Sequence, residues 1–292
     1  MIVGDMEVYS QQTTHEEMIK NCKVYVMWGA NLLKCNRIDY FVPNHVNDSY
    51  YPKYKRAGIK FISIDPIYTE TAQAFSAEWI PIRPNTDVAL MLGMMHYLYT
   101  SNQYDKAFIA KYTDGFDKFL PYLLGESDNA PTEWLGSKMA EVYPFHLISP
   151  HPKYRVNSQL DNTWVRNVYK IQGREPVMIN ELDANKLGIR HGEIVEVFNA
   201  RGRLLAGAFV TKNIRQGVLS IQKGAWYDPE DERVRNPRCN AGHVNTLTSL
   251  CPTSSMTQAI SANTALVNIR RLRRYELVKP YHSISTPSII GA

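Results

Sequence analysis

The chain has few cysteines, and the four that it has form no recognisable ligand pattern. They are Cys22, Cys35, Cys239 and Cys251, and no two of them stand in a C-x-x-C pair. Their spacing matches no zinc or iron–sulfur motif, and so few distant thiols do not make a disulfide framework. The sequence therefore predicts free thiols and no metal site built from cysteine.

Long apolar runs and the common enzyme motifs are also missing. No window reaches the ~18 consecutive apolar residues of a membrane-spanning helix, and the first residues lack the charged-then-apolar order of a signal peptide. The sequence has neither a G-x-G-x-x-G fingerprint nor a P-loop, and no G-x-S-x-G elbow supports a Ser–His–Asp triad. We therefore disfavour an ordinary NAD-dependent dehydrogenase. We expect no membrane span and no export address in the chain as given, so that it would be cytoplasmic if expressed in this form.

What is present is an ordinary globular composition. The 292 residues are 44% hydrophobic and 21% charged, which suits about two domains. The net charge of +5 is mild and compatible with a ligand that carries phosphate. The densest basic run, residues 270–274, predicts a solvated face or tail, because a nucleic-acid patch would need more basic residues with interleaved aromatics. We expect no nucleic-acid partner.

The first half alternates strand and helix patterns. Residues 23–28 and 59–64 are short apolar runs that predict strands, and residues 47–58 between them predict a helix that ends at Gly58. A strand–helix–strand order predicts a parallel β-α-β unit. Four more elements are predicted as helices, at residues 69–77, 85–101, 105–113 and 116–125. The second of these is apolar nearly all round and is expected to be buried against the sheet.

The second half is rich in short strands separated by glycine. Strands are predicted at residues 145–149, 175–180, 192–199, 202–210 and 217–222, with a short helix over 181–188 and a hairpin turn over 199–202. Such a pattern indicates a barrel or a sandwich. We predict a partial α/β dinucleotide-binding domain over residues 1–130, a β-rich domain over residues 131–275 and a C-terminal tail over residues 276–292.

Candidate binding residues in the first half follow its two predicted strands. In an open parallel sheet, ligands bind at the carboxyl ends of the strands. The residues at these two ends are Trp28, Gly29, Ala30, Asn31, Lys34, Ile64, Asp65 and Pro66. A carboxylate after the second strand, here Asp65, commonly binds ribose hydroxyls, and Asp87 is placed to accept from the N–H edge of a purine. The alternatives are a turn or cap residue for Asp65 and a first-turn helix carboxylate for Asp87.

Candidate residues in the second half lie in the connections between strands. They are mostly neutral hydrogen-bonding residues, namely His151, Arg155, Asn157, Ser158, Gln159, His243, Asn245, Asn263 and Thr264. This set suits a heteroaromatic ligand with many N–H and C=O edges plus phosphate. Solvation of ordinary loops is the alternative for each residue.

Several segments together resemble the molybdopterin oxidoreductases of the dimethyl sulfoxide reductase family. In the first half they are "WGANLLKCN", "IDPIYTETAQAF", "IRPNTDVALMLGMMHYLYT" and "GFDKFLPYLLGESD". In the second half they are "SPHPKYRVNSQLDNTW", "GREPVMIN", "GAWYDP", "GHVN" and "SANTALV". The segments are most similar to the branch of trimethylamine-N-oxide, biotin-sulfoxide and dimethyl sulfoxide reductases.

The resemblance implies a cofactor and its contacts. It implies molybdenum held by two molybdopterin guanine dinucleotides, an incomplete Rossmann-like parallel-sheet domain and a double-psi β-barrel domain. In the first half it implies cofactor contacts by residues 28–31, Lys34, residues 64–66 and Asp87. In the second half it implies pterin or phosphate contacts by His151, Arg155, Asn157, Ser158, Gln159, Asn245, Asn263 and Thr264. Relatives often have His at the position of Asn157.

The resemblance also implies that this chain is an internally deleted fragment. The serine ligand to molybdenum and much of the substrate funnel of this branch have no counterpart here, so no catalytic or metal-binding residue is assigned. We expect cofactor binding without independent reduction of an S- or N-oxide, and a sheet with an unpaired edge and bare apolar surface. The intact relative is expected to be periplasmic, to serve anaerobic respiration and to accept electrons from a cytochrome. The alternative is a non-catalytic nucleotide-binding or assembly module.

Overall fold

The chain folds as two compact units. The computed structural model describes residues 13–35, 46–126, 138–161, 163–231, 233–249 and 262–272. The first unit is Met1–Ile82 with Asn213–Arg215, and the second is Arg83–Lys212 with Gln216–Ala292. The predicted domain boundaries stay a prediction, and Cys251 and the predicted tail lie outside the described residues. Over the described ranges, no helix is long and apolar enough to cross a membrane.

The first unit is a three-stranded parallel sheet with helices on one face. Its elements are α1 (His15–Asn21), β1 (Val24–Trp28), α2 (Leu32–Cys35), α3 (Val46–Arg56), β2 (Lys60–Ile64), α4 (Glu70–Phe75) and β3 (Glu78–Ile80). The strand order is β1–β2–β3, and both pairs are parallel. The predicted parallel β-α-β unit is therefore confirmed. The wider Rossmann-like assignment is supported only as far as these three strands.

One face of this sheet carries the core and the other is open among the described residues. Met27 of β1 and Phe61 of β2 are buried, and Phe61 stacks on Phe75 of α4 with ring centroids 4.4 Å apart. On the opposite face, Val24 and Val26 of β1 are about half exposed. Among the described residues β1 is also an edge strand of this sheet. The expectation that strands absent from this chain leave the edge and the apolar face bare stays a prediction.

The second unit begins with helices that bury little. They are α5 (Asp87–Thr100), α6 (Lys106–Tyr112), α7 (Phe116–Leu123) and α8 (Lys138–Val142). The prediction that α5 is buried is wrong, because none of its residues is buried and Val88 is 66% exposed. An apolar composition favours burial, but burial also needs a facing layer. Among the described elements of the second unit, the main packing partner of α5 is the short helix α7.

The rest of the second unit is a closed six-stranded barrel. Its elements are β4 (Phe145–Ile148), β5 (Pro176–Asn180), α9 (Glu181–Leu187), β6 (Ile194–Phe198), β7 (Arg203–Thr211), β8 (Val218–Ile221) and β9 (Ala265–Arg271). The strands close in the order β4–β8–β5–β7–β6–β9, with β4–β8 and β5–β7 parallel. The predicted barrel is confirmed at this level, and the double-psi connectivity remains the finer prediction.

Local sequence explains most of the barrel elements. The predicted hairpin at residues 199–202 joins antiparallel β6 and β7, and the N–H of Asn199 donates to the carbonyl of Gly202 at 3.1 Å. Asn180 caps α9 by accepting from the N–H of Leu182 at 2.9 Å. The core includes Leu204 and Leu219, both fully buried. Strand β9 was not predicted, although it closes the barrel by pairing with both β4 and β6.

The basic run at the end of the barrel is part of β9 rather than only a tail. Arg270 Nε lies 2.6 Å from a carboxylate oxygen of buried Glu196, and Arg271 pairs with Glu193 at 2.7 Å. These ion pairs tie β9 to neighbouring residues of the barrel, so this part of the predicted solvated face has a structural role. The free-thiol prediction is confirmed for the described cysteines, Cys22, Cys35 and Cys239.

Candidate binding cleft

A cleft of about 520 Å³ opens at one end of the barrel. Strands β4 and β8 are parallel neighbours, so the loops that follow them leave the barrel at the same end and run side by side. A backbone hydrogen bond joins these loops, from the N–H of Lys223 to the carbonyl of Pro150 at 3.1 Å. A third wall is the turn that begins at His243. The lining residues are Asn157, Ser158, Lys223, Gly224, Ala225, Trp226, Tyr227, His243 and Asn245.

Glycine is required where two walls of the cleft touch. Gly224 has φ of +94°, and a Cβ placed on it would lie 2.0 Å from the backbone oxygen of Asn157. Any side chain at this position would therefore push the two loops apart. The close approach of backbone to backbone sets the width of the cleft at its base.

Trp226 is held on both its backbone and its ring. Its backbone N–H donates to the Asp161 carboxylate at 2.8 Å, and its indole N–H donates to the carbonyl of Ser158 at 2.8 Å. The indole is nevertheless partly exposed and lines the cleft. A flat apolar surface is thus fixed next to polar groups, which suits a planar heteroaromatic ligand.

The imidazole of His243 has a defined tautomer. Its Nδ1 lies 2.5 Å from the backbone oxygen of Ala225. Because a carbonyl oxygen only accepts, Nδ1 must carry the proton. The ring also meets Tyr227 edge to face, with centroids 5.8 Å apart. These contacts fix the orientation of a cleft-lining ring that can accept or, when protonated, donate through Nε2.

The charge of the lining favours an anionic group. None of the nine lining residues is acidic, and Lys223 contributes a cation. The remaining polar side chains are amides, hydroxyls and an imidazole, which supply donors and acceptors without negative charge. In the part of the chain that the structure describes, no group of three or more His, Cys, Asp or Glu side chains could hold a metal ion.

Four of the candidate second-half residues line the cleft, namely Asn157, Ser158, His243 and Asn245. Of these, the family resemblance implied contacts by all except His243. His151 and Gln159 belong to the same loop and are exposed, but they do not line the cleft. Arg155 is buried. Its guanidinium donates to the carbonyls of Asn157 and Lys223, to the Tyr169 hydroxyl and to the Glu175 carboxylate.

Asn263 and Thr264 lie near the start of α5 instead. The Asn263 carboxamide oxygen accepts from the N–H of Ser149 at 2.9 Å, and its backbone oxygen accepts from the Asn85 side chain at 3.2 Å. Asp87 is the first residue of α5 and therefore close to this group in the chain. Residues from three distant segments, Asn85, Ser149 and Asn263, thus lie together at a second position that is not part of the cleft lining.

The predicted first-half residues gather at the carboxyl ends of β1 and β2. The N–H of Gly29 donates to the carbonyl of Ile64 at 2.9 Å, which joins the two strand ends. The Asn31 side-chain oxygen accepts from the Thr71 hydroxyl at 2.6 Å. Burial raises the pKa of Asp65 to about 6, although its carboxylate accepts from the N–H of Ile67 and faces the charge of Lys34. The geometry agrees with a strand-end site, and each residue's contact with a ligand stays a prediction.

Sequence reasoning missed several cleft residues. Lys223, Trp226 and Tyr227 were not assigned as contacts, and His243 was a candidate by residue type but not among the contacts that the resemblance implied. Their signal was available in the segments "GAWYDP" and "GHVN", which carried part of the family resemblance. Their common position depends on parallel pairing between distant strands, which local patterns do not show.

Residues 145–266 match the protein family described as "Molydopterin dinucleotide binding domain". All nine lining residues of the cleft fall inside this match. This segment is therefore similar to a molydopterin dinucleotide binding domain. The resemblance to the dimethyl sulfoxide reductase family is thereby confirmed for this part of the chain.

Curated relatives agree with this assignment. The dimethyl sulfoxide/trimethylamine N-oxide reductase of Rhodobacter capsulatus is 46% identical over 135 residues, which is 46% of this chain and 16% of that protein. The trimethylamine-N-oxide reductase of Pasteurella multocida is 47% identical over 137 residues, covering 47% of this chain and 16% of the relative. The matched part of this chain therefore spans about a sixth of the length of these relatives. Among solved structures, acetylene hydratase from Pelobacter acetylenicus is similar with a TM-score of 0.38, 16% identity and coverage of 46% of this chain and 19% of that one.

Proposed function

We propose that the cleft binds one part of a molybdopterin guanine dinucleotide, and that the chain is a cofactor-binding portion of an S- or N-oxide reductase. The cofactor would be the molybdenum form with two such dinucleotides. The observation that carries the proposal is the cleft itself, which lies wholly within the segment similar to a molydopterin dinucleotide binding domain.

The residues of the cleft fit the chemistry of such a cofactor. A pterin presents several N–H and C=O edges, which match the side chains of Asn157, Ser158 and Asn245. A phosphate carries negative charge, which Lys223 can neutralise. Ligand clefts typically measure about 300–1,000 Å³, so 520 Å³ suits one portion of a long dinucleotide rather than the whole of it.

The role of this chain toward the reaction would be to bind and orient. When bound, the molybdenum centre of the cofactor would supply two-electron oxygen-atom transfer. The side chains described here would hold the pterin or phosphate part and exclude water from its face with the indole of Trp226. We propose that trimethylamine N-oxide or a sulfoxide is the substrate of the longer enzyme, and that this chain does not turn it over alone.

The first unit is proposed to contact the guanosine end of a dinucleotide. Its support is the grouping of Gly29, Asn31, Lys34 and Asp65 at adjoining strand ends. A carboxylate at that position is suited to ribose hydroxyls or to the N–H edge of a purine. In this proposal the first unit supplies affinity and takes no part in redox chemistry.

The test is whether the chain carries the cofactor. The chain is produced in cells that synthesise molybdopterin guanine dinucleotide, purified and denatured, and the released pterin, guanine nucleotide and molybdenum are measured. We expect all three in the wild-type chain. A folded chain that carries none of them, and instead co-purifies with a stable partner, would favour the assembly-module alternative.

Two matched lysine variants test whether the cofactor binds in the cleft. Lys223→Met removes the cation of the cleft, and we expect at least about tenfold lower cofactor retention because a charge-assisted contact is lost. Lys212→Met changes an exposed lysine of the same unit that does not line the cleft and should leave retention unchanged. Equal retention in both variants would place the cofactor elsewhere. Appreciable reduction of trimethylamine N-oxide by the purified chain would contradict its proposed inactivity alone.

A further inference from the structure

Four charged side chains are buried together behind the cleft. They are Arg155, Asp161, Lys170 and Glu175, and each side chain is no more than 1% exposed. None of them lines the cleft. Two cations and two anions make the group electrically balanced, which is the condition under which charges are tolerated away from water.

The members of this charge cluster contact one another directly. Lys170 Nζ lies 2.7 Å from an Asp161 carboxylate oxygen, and Arg155 Nη2 lies 3.2 Å from Glu175 Oε1. Arg155 Nη1 also donates to the Tyr169 hydroxyl. Burial raises the pKa of Glu175 to about 7, while the neighbouring cations oppose that rise.

Side chains of the same cluster are bonded to the backbone of two cleft walls. Arg155 donates from Nε to the carbonyl of Asn157 at 3.0 Å and from Nη2 to the carbonyl of Lys223 at 2.8 Å. Asp161 accepts from the N–H of Trp226. The backbone N–H of Glu175 donates to the carbonyl of Ala241, two residues before the third wall begins at His243.

This arrangement controls geometry more than it adds stability. A buried ion pair is a weak source of stability, because apolar residues of similar volume often serve as well. A planar guanidinium, in contrast, fixes several acceptors at set angles, which a lysine cannot do. Two of the acceptors here are the backbone carbonyls of Asn157 and Lys223, whose own side chains line the cleft. Since Gly224 already touches Asn157, the loops have little freedom to compensate for a shift.

We propose that Arg155 is a positioning residue, whose guanidinium sets the spacing of the cleft walls for the pterin dinucleotide without touching it. The ligand class in this statement rests on the proposed function above. The family resemblance implied a direct contact between Arg155 and the cofactor. A positioning role and a direct contact predict different effects of an Arg155 substitution on the cleft of the protein without ligand.

The test uses Arg155→Lys, which keeps the charge balance but cannot reach all four acceptors that the guanidinium of Arg155 bonds. The protein is labelled with 5-fluorotryptophan, and the Trp226 resonance is assigned by its loss in Trp226→Phe. In the cofactor-free protein, we expect Arg155→Lys to shift or double the Trp226 resonance and to leave the Trp79 resonance in place. In the loaded protein, we expect about tenfold lower cofactor retention or more.

Arg238→Lys is the matched control. Arg238 is also a buried arginine of the second unit, paired with Glu196 and Glu230, and it does not line the cleft. We expect Arg238→Lys to lower the melting temperature by a few degrees, as Arg155→Lys should. Unlike Arg155→Lys, it should leave the Trp226 resonance and the cofactor retention unchanged. If both variants lose cofactor equally, the effect is general destabilisation and the proposal is wrong.

Other outcomes are equally decisive. An unmoved Trp226 resonance with lost retention means that Arg155 contacts the ligand directly, which overturns the positioning role. If even the wild-type chain retains no cofactor, the proposed function fails, but the resonance in the cofactor-free variants still tests positioning. Should Arg155→Lys not fold, Glu175→Gln is the second variant. It removes the negative charge of the ion-pair partner of Arg155 while keeping nearly the same side-chain volume. It should produce a smaller shift of the same Trp226 resonance, and an unchanged resonance there would contradict the proposal.

Discussion

The barrel and the three-stranded sheet bury their apolar residues to different extents. In the barrel, strand pairing closes on itself, and Val177, Ile179, Val197, Leu204 and Leu219 are all fully buried. In the sheet, one face packs on helices while Val24 and Val26 on the other are about half exposed. Closure removes strand edges and fixes where the connecting loops leave. A preformed cleft is therefore found at one end of the barrel, whereas the sheet offers a row of strand ends.

The comparison predicts that core truncation is severe in the barrel and mild on the open face of the sheet. Leu219→Ala removes a fully buried side chain from β8 and should lower the free energy of unfolding by about 2–5 kcal/mol. Val26→Ala on the sheet should lower it by about 0.5 kcal/mol or less. Because two units do not unfold as one two-state system, hydrogen exchange of each unit is the appropriate measurement. Similar losses in both variants would mean that another surface covers Val26 in solution.

In both units, a strand could be predicted from the sequence where that strand had a local pattern of its own. Strands β1 and β2 are short apolar runs, and β6 and β7 flank a recognisable turn. Strand β9 was missed because polar residues precede it, and its place in the barrel depends on pairing with β4, more than a hundred residues away, and with β6, about 70 residues away. Non-local pairing is the information that local periodicity lacks.

The candidate site was predicted in part for the same reason. Asn157, Ser158 and Asn245 were found because polar residues concentrated in connections. Lys223 and Trp226 were missed because they join the cleft only through the parallel pairing of β4 with β8. The burial of Arg155 could not be foreseen from composition, since it requires Asp161 and Glu175 from separate segments to balance its charge.

A pH titration of matched variants should separate the two units, starting with the contribution of His146 to the barrel. Burial lowers the pKa of His146 in β4 to about 4 from its ordinary 6.5, with a smaller contribution from the charge of Arg83. The unfolded chain therefore binds a proton that the folded barrel refuses between pH 6.5 and 4. The contribution of His146 to barrel stability should fall by up to about 3 kcal/mol as the pH falls through this range, while buried Glu175 of the same unit, whose pKa is raised to about 7, contributes with the opposite sign.

The measurement is hydrogen exchange of the barrel strands at several pH values in wild type and His146→Gln. Because glutamine does not titrate, the variant should lack most of this pH dependence. His191→Gln, at an exposed histidine of the same unit, should retain it. If the difference in stability between wild type and His146→Gln stays constant between pH 6.5 and 4, His146 takes up its proton as readily in the folded barrel as in the unfolded chain, and the prediction is wrong.

The sheet should respond to pH with the opposite sign and a smaller size. Burial raises the pKa of Asp65 at the end of β2 to about 6 from 3.8, and hydrogen bonding by Ile67 and the charge of Lys34 only partly offset it. The folded unit therefore holds a proton that the unfolded chain releases between about pH 4 and 6. Stability from this group is complete below pH 4 and is lost as the pH rises to 6, by about 1–3 kcal/mol after allowance for partial exposure.

Asp65→Asn tests this because an amide keeps the shape of the side chain without titrating. Exchange of the β1 and β2 amides should become less dependent on pH between 4 and 6 in this variant. Glu78→Gln is the control, since Glu78 is an exposed carboxylate of the same sheet that pairs with Lys60 at 2.8 Å, and it should leave the pH dependence in place.

Addition of guanosine diphosphate sharpens the comparison between the two units further. A ligand whose ribose hydroxyls donate to Asp65 favours the carboxylate form, so it should stabilise the wild-type sheet more at pH 7 than at pH 5, and the barrel should not follow that change.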